Sequence, residues 1–194
     1  FKFLLRNYSK KTKILFFSSG AVYGPRYKIK KFNEKEKISL NNIKKFSGYK
    51  KNYSKEKIIL EKEFVNLSKE GFKVSIVRGF TFYGKHILKY NFLISQILNS
   101  IKNKKKIIIN NNIFRSYMHQ VDMCRWVLKI LKSSSTKCPI YNLGSDKTIN
   151  LKNLCRYLSE KYNARVKIVK KKKVMDYYIP STYLAKTKLK LKTT

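Results

Sequence analysis

The sequence predicts an α/β fold built on an open parallel sheet, and three observations lead there. Ile14-Leu15-Phe16-Phe17 and Val74-Ser75-Ile76-Val77 are short apolar runs of the kind found in strands buried on both faces. Between them, residues 52–69 carry Leu60, Phe64 and Leu67 at i, i+4, i+7, one face of a helix that stops at Gly71. The first run closes on Ser18-Ser19-Gly20, two hydroxyls and a glycine turn. Side chains just past the carboxyl end of a parallel strand face the ligand crevice of such a sheet, so Ser19 is expected to face a site.

The remaining elements follow in order. Residues 1–8 read as the last turns of a helix and 9–13 as a connection into the first strand. The stretch 25–48 is polar and Lys-rich, with Asn41-Asn42 as a turn signal, and predicts a loop over the mouth of the site. After the second strand come an amphipathic helix over 92–101, a short strand at Ile107-Ile108-Ile109 ended by Asn110-Asn111-Asn112, and a helix over 122–132. A loop at 133–137, a strand over 139–143, a helix over 151–162 and a strand over 166–169 complete the series. No internal repeat is visible.

At 194 residues and 43% apolar content the chain is long and hydrophobic enough for a core. A formal charge of +36 would ordinarily suggest a nucleic acid or an anionic membrane. Here the excess is almost all Lys, scattered through every segment among many Asn and Ile, which reads as compositional bias and not as a binding patch. The runs Lys104-Lys105-Lys106 and Lys170-Lys171-Lys172-Lys173 are expected on exposed loops or strand edges. Cys124, Cys138 and Cys155 are odd in number and lack metal-ligand spacing. They read as reduced thiols, which places the protein in the cytoplasm. No apolar run reaches the roughly 18 residues of a membrane helix, and no signal peptide is visible. The expectations are no metal, no nucleic acid and no membrane.

Tyr53-Ser54-Lys55-Glu56-Lys57 carries the chemistry. A tyrosine and a lysine at i and i+4 share one helical face, and an ammonium one turn away favours the phenolate of a tyrosine. Such a pair can exchange a proton with a substrate hydroxyl. The alternative for Lys57 is a surface pair with Glu61, also at i+4, worth a few tenths of a kcal/mol.

These stretches, in this order, resemble the extended short-chain dehydrogenase/reductase family, the nucleotide-sugar epimerases and dehydratases. The residues that carry the resemblance are Ser18-Ser19-Gly20-Ala21-Val22-Tyr23-Gly24, the Tyr53 and Lys57 pair, Val77-Arg78-Gly79-Phe80-Thr81-Phe82-Tyr83-Gly84, Arg115-Ser116-Tyr117-Met118-His119-Gln120-Val121-Asp122 and Tyr141-Asn142-Leu143-Gly144-Ser145. The resemblance implies the C-terminal part of a Rossmann-like, doubly wound parallel sheet with a smaller α/β substrate lobe. It divides the chain into 1–84, the second part of an NAD-binding domain; 85–118, a substrate-lobe insertion; 119–146, a return to the first domain; and 147–194, a C-terminal substrate lobe. No G-x-x-G-x-x-G phosphate loop occurs. The expectation is that a first third carrying it is missing, with a decayed gene as the alternative, and that this chain alone binds NAD poorly and is inactive.

The resemblance also implies roles. Tyr53 is the acid/base; Lys57 assists it and holds the nicotinamide ribose; Ser19 hydrogen-bonds the reacting oxygen; Ser18 packs against cofactor or backbone; the Phe80 backbone faces the nicotinamide. Thr81, Asn91 and Arg115 contact the nucleotide-diphosphate sugar, with a helix cap as the alternative for Asn91 and a diphosphate clasp as the role of Arg115. His119 is structural and Asp122 caps the following helix. The cofactor is NAD, or NADP, and the intact protein forms a homodimer. The 4,6-dehydratases of the family carry Asp and Glu where this chain has Gly20 and Ala21, which disfavours elimination. What remains is epimerisation through a keto sugar or net reduction of one, in surface-polysaccharide synthesis by analogy. A basic nucleic-acid-binding protein and an inactive remnant are the rival classes.

Overall fold

The computed structural model describes residues 7–85, 92–110, 113–169 and 175–193. In chain order the elements are β1 (Lys13–Ser19), 3-10 turns at Gly20–Tyr23 and Leu40–Ile43, α1 (Gly48–Lys69), β2 (Lys73–Gly79) and β3 (Phe82–Tyr83). Next come α2 (Leu93–Lys102), β4 (Ile107–Asn110), β5 (Ile113–Arg115), β6 (Met118–His119) and α3 (Gln120–Lys132). The chain ends with β7 (Ile140–Leu143), β8 (Ile149–Asn150), α4 (Leu151–Tyr162), β9 (Val166–Val169), β10 (Asp176–Tyr178) and α5 (Tyr183–Leu189).

The main sheet has the order β1-β2-β7 and is parallel throughout, with Phe17 opposite Val77 and Gly79 opposite both Ser19 and Leu143. Strands this apolar need cover on both faces, and alternate residues of β2 supply it. Val74 and Ile76 pack with Phe16, Phe64 and Leu67 on the α1 side, where Phe16 and Phe64 stack with ring centroids 4.4 Å apart. Val77 packs with Met118, Trp126, Ile130, Tyr141 and Leu143 on the α3 side. Each fully buried side chain of this kind is worth about 1.5–3 kcal/mol, and the two layers fix where β1 ends. Helix α1 begins earlier than its apolar spacing predicts, at Gly48, and stops at Gly71 with φ +97°.

The smaller lobe joins segments remote in sequence. β4 pairs with β9 in parallel, while β5 pairs with β10 in parallel and with β8 antiparallel. Ile97, Ile107, Ile109, Leu151 and Cys155 form its core. Ala185 of α5 and the following Leu191 return to the core of the main sheet. Segment 147–194 therefore contributes to both layers, where the sequence reading assigned it to the smaller lobe alone.

The stretch 25–48 differs from the polar loop expected of it. Phe32 is 1% exposed and sits between Ile179 and Ser181, its N–H donating to the Ile179 carbonyl at 2.9 Å and its own carbonyl accepting from Ser181 N at 2.7 Å. Phe32 and Ile43 pack with Val22, Tyr23, Ile58 and Phe80. Two apolar residues in a Lys-rich stretch thus seat it against the end of β1. Lys104, Lys105 and Lys106 are exposed; the 170–173 run and most of 1–8 lie outside the described residues.

Candidate active site

Helix α1 is pinned from below, and that places its upper face. Ile58 is 2% exposed in the cluster with Val22, Tyr23 and Phe80, and Ser54, fully buried, donates its hydroxyl to the Lys50 carbonyl at 2.7 Å. Tyr53 and Lys57 are left half-buried at the rim. Lys57 Nζ donates to the Phe17 carbonyl at 2.8 Å and lies 5.7 Å from the centroid of the Tyr53 ring. Burial holds the Lys57 ammonium below the usual lysine range, with Glu56 and Glu61 opposing that shift. The cation is thereby fastened between the end of β1 and Tyr53.

Ser18 and Ser19 have opposite fates. Ser18, expected against cofactor or backbone, is 1% exposed and donates to Glu61 Oε1 at 2.6 Å, so its hydroxyl is engaged inside the fold. Glu61 is itself 6% exposed and makes no surface pair with Lys57. It takes Arg78 bidentately, at 3.0 Å from Nε to Oε1 and 2.7 Å from Nη2 to Oε2. Arg78 also donates to Tyr23 Oη at 3.0 Å, Tyr23 donates to Asn142 Oδ1 at 2.8 Å, and Glu34 accepts from Asn142 N at 2.9 Å. Burial opposes the Arg78 charge, but Glu61 and Tyr23 raise its pKa overall. Burial pushes Tyr23 up to about 12 against the pull of Arg78, and burial likewise raises Glu34. A buried pair of this kind holds only when its remaining hydrogen-bonding groups are satisfied, as they are here.

Ser19 stays at the mouth. It caps the turn Gly20–Tyr23 by accepting from Ala21 N at 3.2 Å. Among the described residues Ser19 and Tyr53 share no hydrogen bond, while Tyr53 lies close enough to raise the Tyr178 pKa. Phe80 is buried and packs its ring 4.6 Å from that of Tyr178. A Cβ on Gly20 would lie 2.6 Å from Phe80 Cζ and 2.7 Å from the Tyr178 hydroxyl.

Arg115 reaches the same region from β5. Its Nη2 donates to Asp176 Oδ2 at 2.5 Å and its Nη1 to the Asp176 carbonyl at 3.0 Å, with Cζ 5.8 Å from the centroid of the Tyr178 ring. Lys50, one turn ahead of Tyr53, packs its ammonium 4.2 Å from the Phe46 ring centroid. Desolvation there lowers its pKa, with Asp176 opposing and Arg115 reinforcing the shift. The Thr81 hydroxyl and the fully buried Ser116 hydroxyl have no hydrogen-bond partner among the described residues. Asn91 lies outside the described residues. His119, not Asp122, caps α3, accepting from Val121 N at 3.4 Å through Nδ1; Asp122 is 3% exposed and faces Arg125 at 3.6 Å. A first-turn carboxylate can face a basic residue at i+3 without capping.

Tyr178, Asp176 and Glu61 are the residues that sequence reasoning missed. Glu61 alone left a signal, sitting three residues from Ile58 and from Phe64 on the apolar face.

The model of the NAD dependent epimerase/dehydratase family matches residues 4–144. The chain belongs to that family. The epimerase/dehydratase assignment agrees with solved structures. The chain superposes on dTDP-glucose 4,6-dehydratase from Bacillus anthracis str. Ames in complex with NAD, with a TM-score of 0.80, 17% identity and 98% of this chain covered. RMD from Pseudomonas aeruginosa complexed with NADPH gives 0.74 at 18% identity over 93% of the chain. UDP-N-acetylglucosamine 4-epimerase from Bacillus cereus gives 0.70 at 17% over 94%. At these identities the likeness establishes the fold. The chain spans 59%, 61% and 60% of the three structures respectively. No curated protein sequence matches it.

Proposed function

We propose that the protein is an NAD-dependent nucleotide-sugar epimerase that works through a keto-sugar intermediate. The supporting observation is the end of β1, where Ser19 and the Tyr53 and Lys57 face converge on a turn with no room for a carboxylate. Elimination of a sugar hydroxyl requires an acid to protonate the leaving group. Gly20 and Ala21 cannot supply it, and the space a side chain at Gly20 would need is taken by Phe80 and Tyr178.

The residues present fit the nicotinamide-ribose end of a dinucleotide. Lys57 uses one of its three N–H donors on the Phe17 carbonyl and keeps two for a ribose, and the Phe80 backbone borders the same space. The phosphate end has no G-x-x-G-x-x-G on this chain. A bound NAD would supply the acceptor for the hydride of the sugar carbon. Tyr53 takes the sugar hydroxyl proton as that hydride leaves and gives it back after the keto sugar has presented its other face. Lys57 supplies positive charge beside Tyr53, and Ser19 donates to the sugar oxygen as it becomes a carbonyl. Arg115 turns from Asp176 to the diphosphate, a match for its planar fork, and Thr81 and Asn91 line the sugar. The domain division, the homodimer, the cytoplasmic setting and a place in surface-polysaccharide synthesis belong to this same reading.

The test uses the protein expressed from its complete reading frame, with NAD and a panel of UDP-, GDP-, CDP- and dTDP-sugars, products being followed by NMR. An epimer that forms with the wild type and not with Tyr53→Phe supports the reading. Turnover only when NADPH and a 4-keto sugar are added makes the enzyme a reductase, and turnover unaffected by Tyr53→Phe overturns the assignment of the acid/base.

A further inference from the structure

We propose that the buried pair Glu61 and Arg78 positions Lys57 and Ser19 for the reaction. It ties the end of β1 to α1 at Ser18, the residue between the carbonyl that holds Lys57 and the hydroxyl that meets the substrate. This inference rests on the epimerase reading of the site.

Three successive residues of β1 have three different tasks. The Phe17 carbonyl accepts from Lys57 Nζ at 2.8 Å, Ser18 donates inward to Glu61 Oε1 at 2.6 Å, and Ser19 caps the turn at the mouth. Glu61 follows Lys57 by one turn on α1. One helix therefore grips the strand at Phe17 through Lys57 and at Ser18 through Glu61. Two grips on adjacent residues leave the strand end free neither to slide along the helix nor to rotate under it.

Arg78 keeps Glu61 in that place. The β1–β2 register sets Arg78 opposite Ser18, and its guanidinium takes the carboxylate at 3.0 Å through Nε and 2.7 Å through Nη2. Its Nη1 donates at 3.0 Å to the hydroxyl of Tyr23, the last residue of the turn that starts directly after Ser19. Ser19 is thus bracketed, with Ser18 held by Glu61 and Tyr23 held by Arg78. A buried ion pair adds little net stability over a packed apolar pair, because desolvating both charges offsets their attraction. What this pair adds is geometry. If the Phe17 carbonyl shifts, the ammonium leaves its station 5.7 Å from the Tyr53 ring centroid, and a misplacement of about 1 Å at a reacting centre costs about 100-fold in rate. Arg115, the proposed diphosphate contact, lies on β5 outside this network, so the cost falls on kcat and not on KM.

The experiment uses the protein from its complete reading frame with three variants: Glu61→Met combined with Arg78→Met, Ser18→Ala, and Tyr53→Phe. Each is read as urea midpoint, as hydrogen exchange of residues 17–24, and as turnover of the sugar found by NMR. The paired methionines are expected to return the midpoint close to that of the wild type, yet to leave kcat about 10- to 100-fold down with KM within about twofold. Ser18→Ala leaves the ion pair whole and is expected to lower kcat about tenfold, so it decides the matter where the paired methionines do not fold. In both, exchange across residues 17–24 is expected to speed about tenfold while β2 keeps its protection. A kcat that recovers together with the midpoint in the paired methionines, or wild-type kcat in Ser18→Ala, would overturn the inference. Unchanged exchange across residues 17–24 overturns it as well, and needs no turnover. Tyr53→Phe separates the two ideas: if it retains full activity the epimerase reading fails, while the exchange still judges the positioning.

Discussion

The main sheet and the smaller lobe are held together in different ways. β1, β2 and β7 are joined through parallel ladders and covered on both faces by α1 and α3, and a buried arginine pair locks α1 to β2. The lobe relies on short strands brought from far apart, such as Ile107 opposite Val166 and Tyr178 opposite Arg115, over one apolar cluster. The difference teaches where each half of the site gets its rigidity. Tyr53, Lys57 and Ser19 are set by the sheet and the helix on it, Arg115 and Asp176 are set by the lobe, and Tyr178 joins the two by pairing with β5 and packing on Phe80.

The largest expected effect breaks the first region. Arg78→Ala leaves Glu61 buried without its partner and is expected to cost about 3–5 kcal/mol, read by urea denaturation. Replacing both residues with methionine should recover most of that loss, since a packed apolar pair avoids the desolvation cost. Breaking the lobe should cost less and stay local. Leu151→Ala removes a fully buried side chain from the lobe core, at about 2–4 kcal/mol. Hydrogen exchange should then speed in α4, β4 and β9 while β1 and β2 keep their protection.

A third change separates stability from binding. The Arg115 and Asp176 pair is partly exposed, so Arg115→Ala should alter stability by less than about 1 kcal/mol, yet raise KM for the nucleotide sugar about tenfold if the guanidinium clasps the diphosphate. The smallest effect is alkaline. Burial pushes Cys138, in the main-sheet core, and Cys155, in the lobe core, up to about 11 from an ordinary 9.0. A folded pKa above the unfolded one gives stability that is complete below pH 9.0 and falls as pH rises through about 11. Cys155→Ala should flatten the alkaline fall for the lobe and leave that of Cys138 in place, as thermal melts at several pH values would register.

The sheet was the more legible region, and the reason is local. Apolar runs such as Ile14 to Phe17 and the i, i+4 spacing of Tyr53 and Lys57 are properties of contiguous sequence, so the strands, the helix and the shared face of that pair could be read directly. Glu61 was legible in principle. It lies between Ile58 and Phe64 on the apolar face, and Arg78 interrupts the apolar run of β2, so the two buried charges were visible separately and their pairing was not inferred. Tyr178 could not be read that way, because its place beside Phe80 depends on β10 pairing with β5, and three-residue strands carry no period of their own. Asp122 shows the limit of capping rules: a first-turn acid invites the role that the preceding His119 performs.

The central claim is that the sugar carbon loses and regains the same hydrogen as hydride. The direct measurement is to run the epimerisation in D2O with the protein from its complete reading frame and NAD, and to examine the inverted carbon of the product by NMR. Hydride return through Tyr53 chemistry predicts that this carbon keeps protium, with no 6-deoxy product. Deuterium at the inverted carbon, or a 4-keto-6-deoxy sugar in its place, would contradict it.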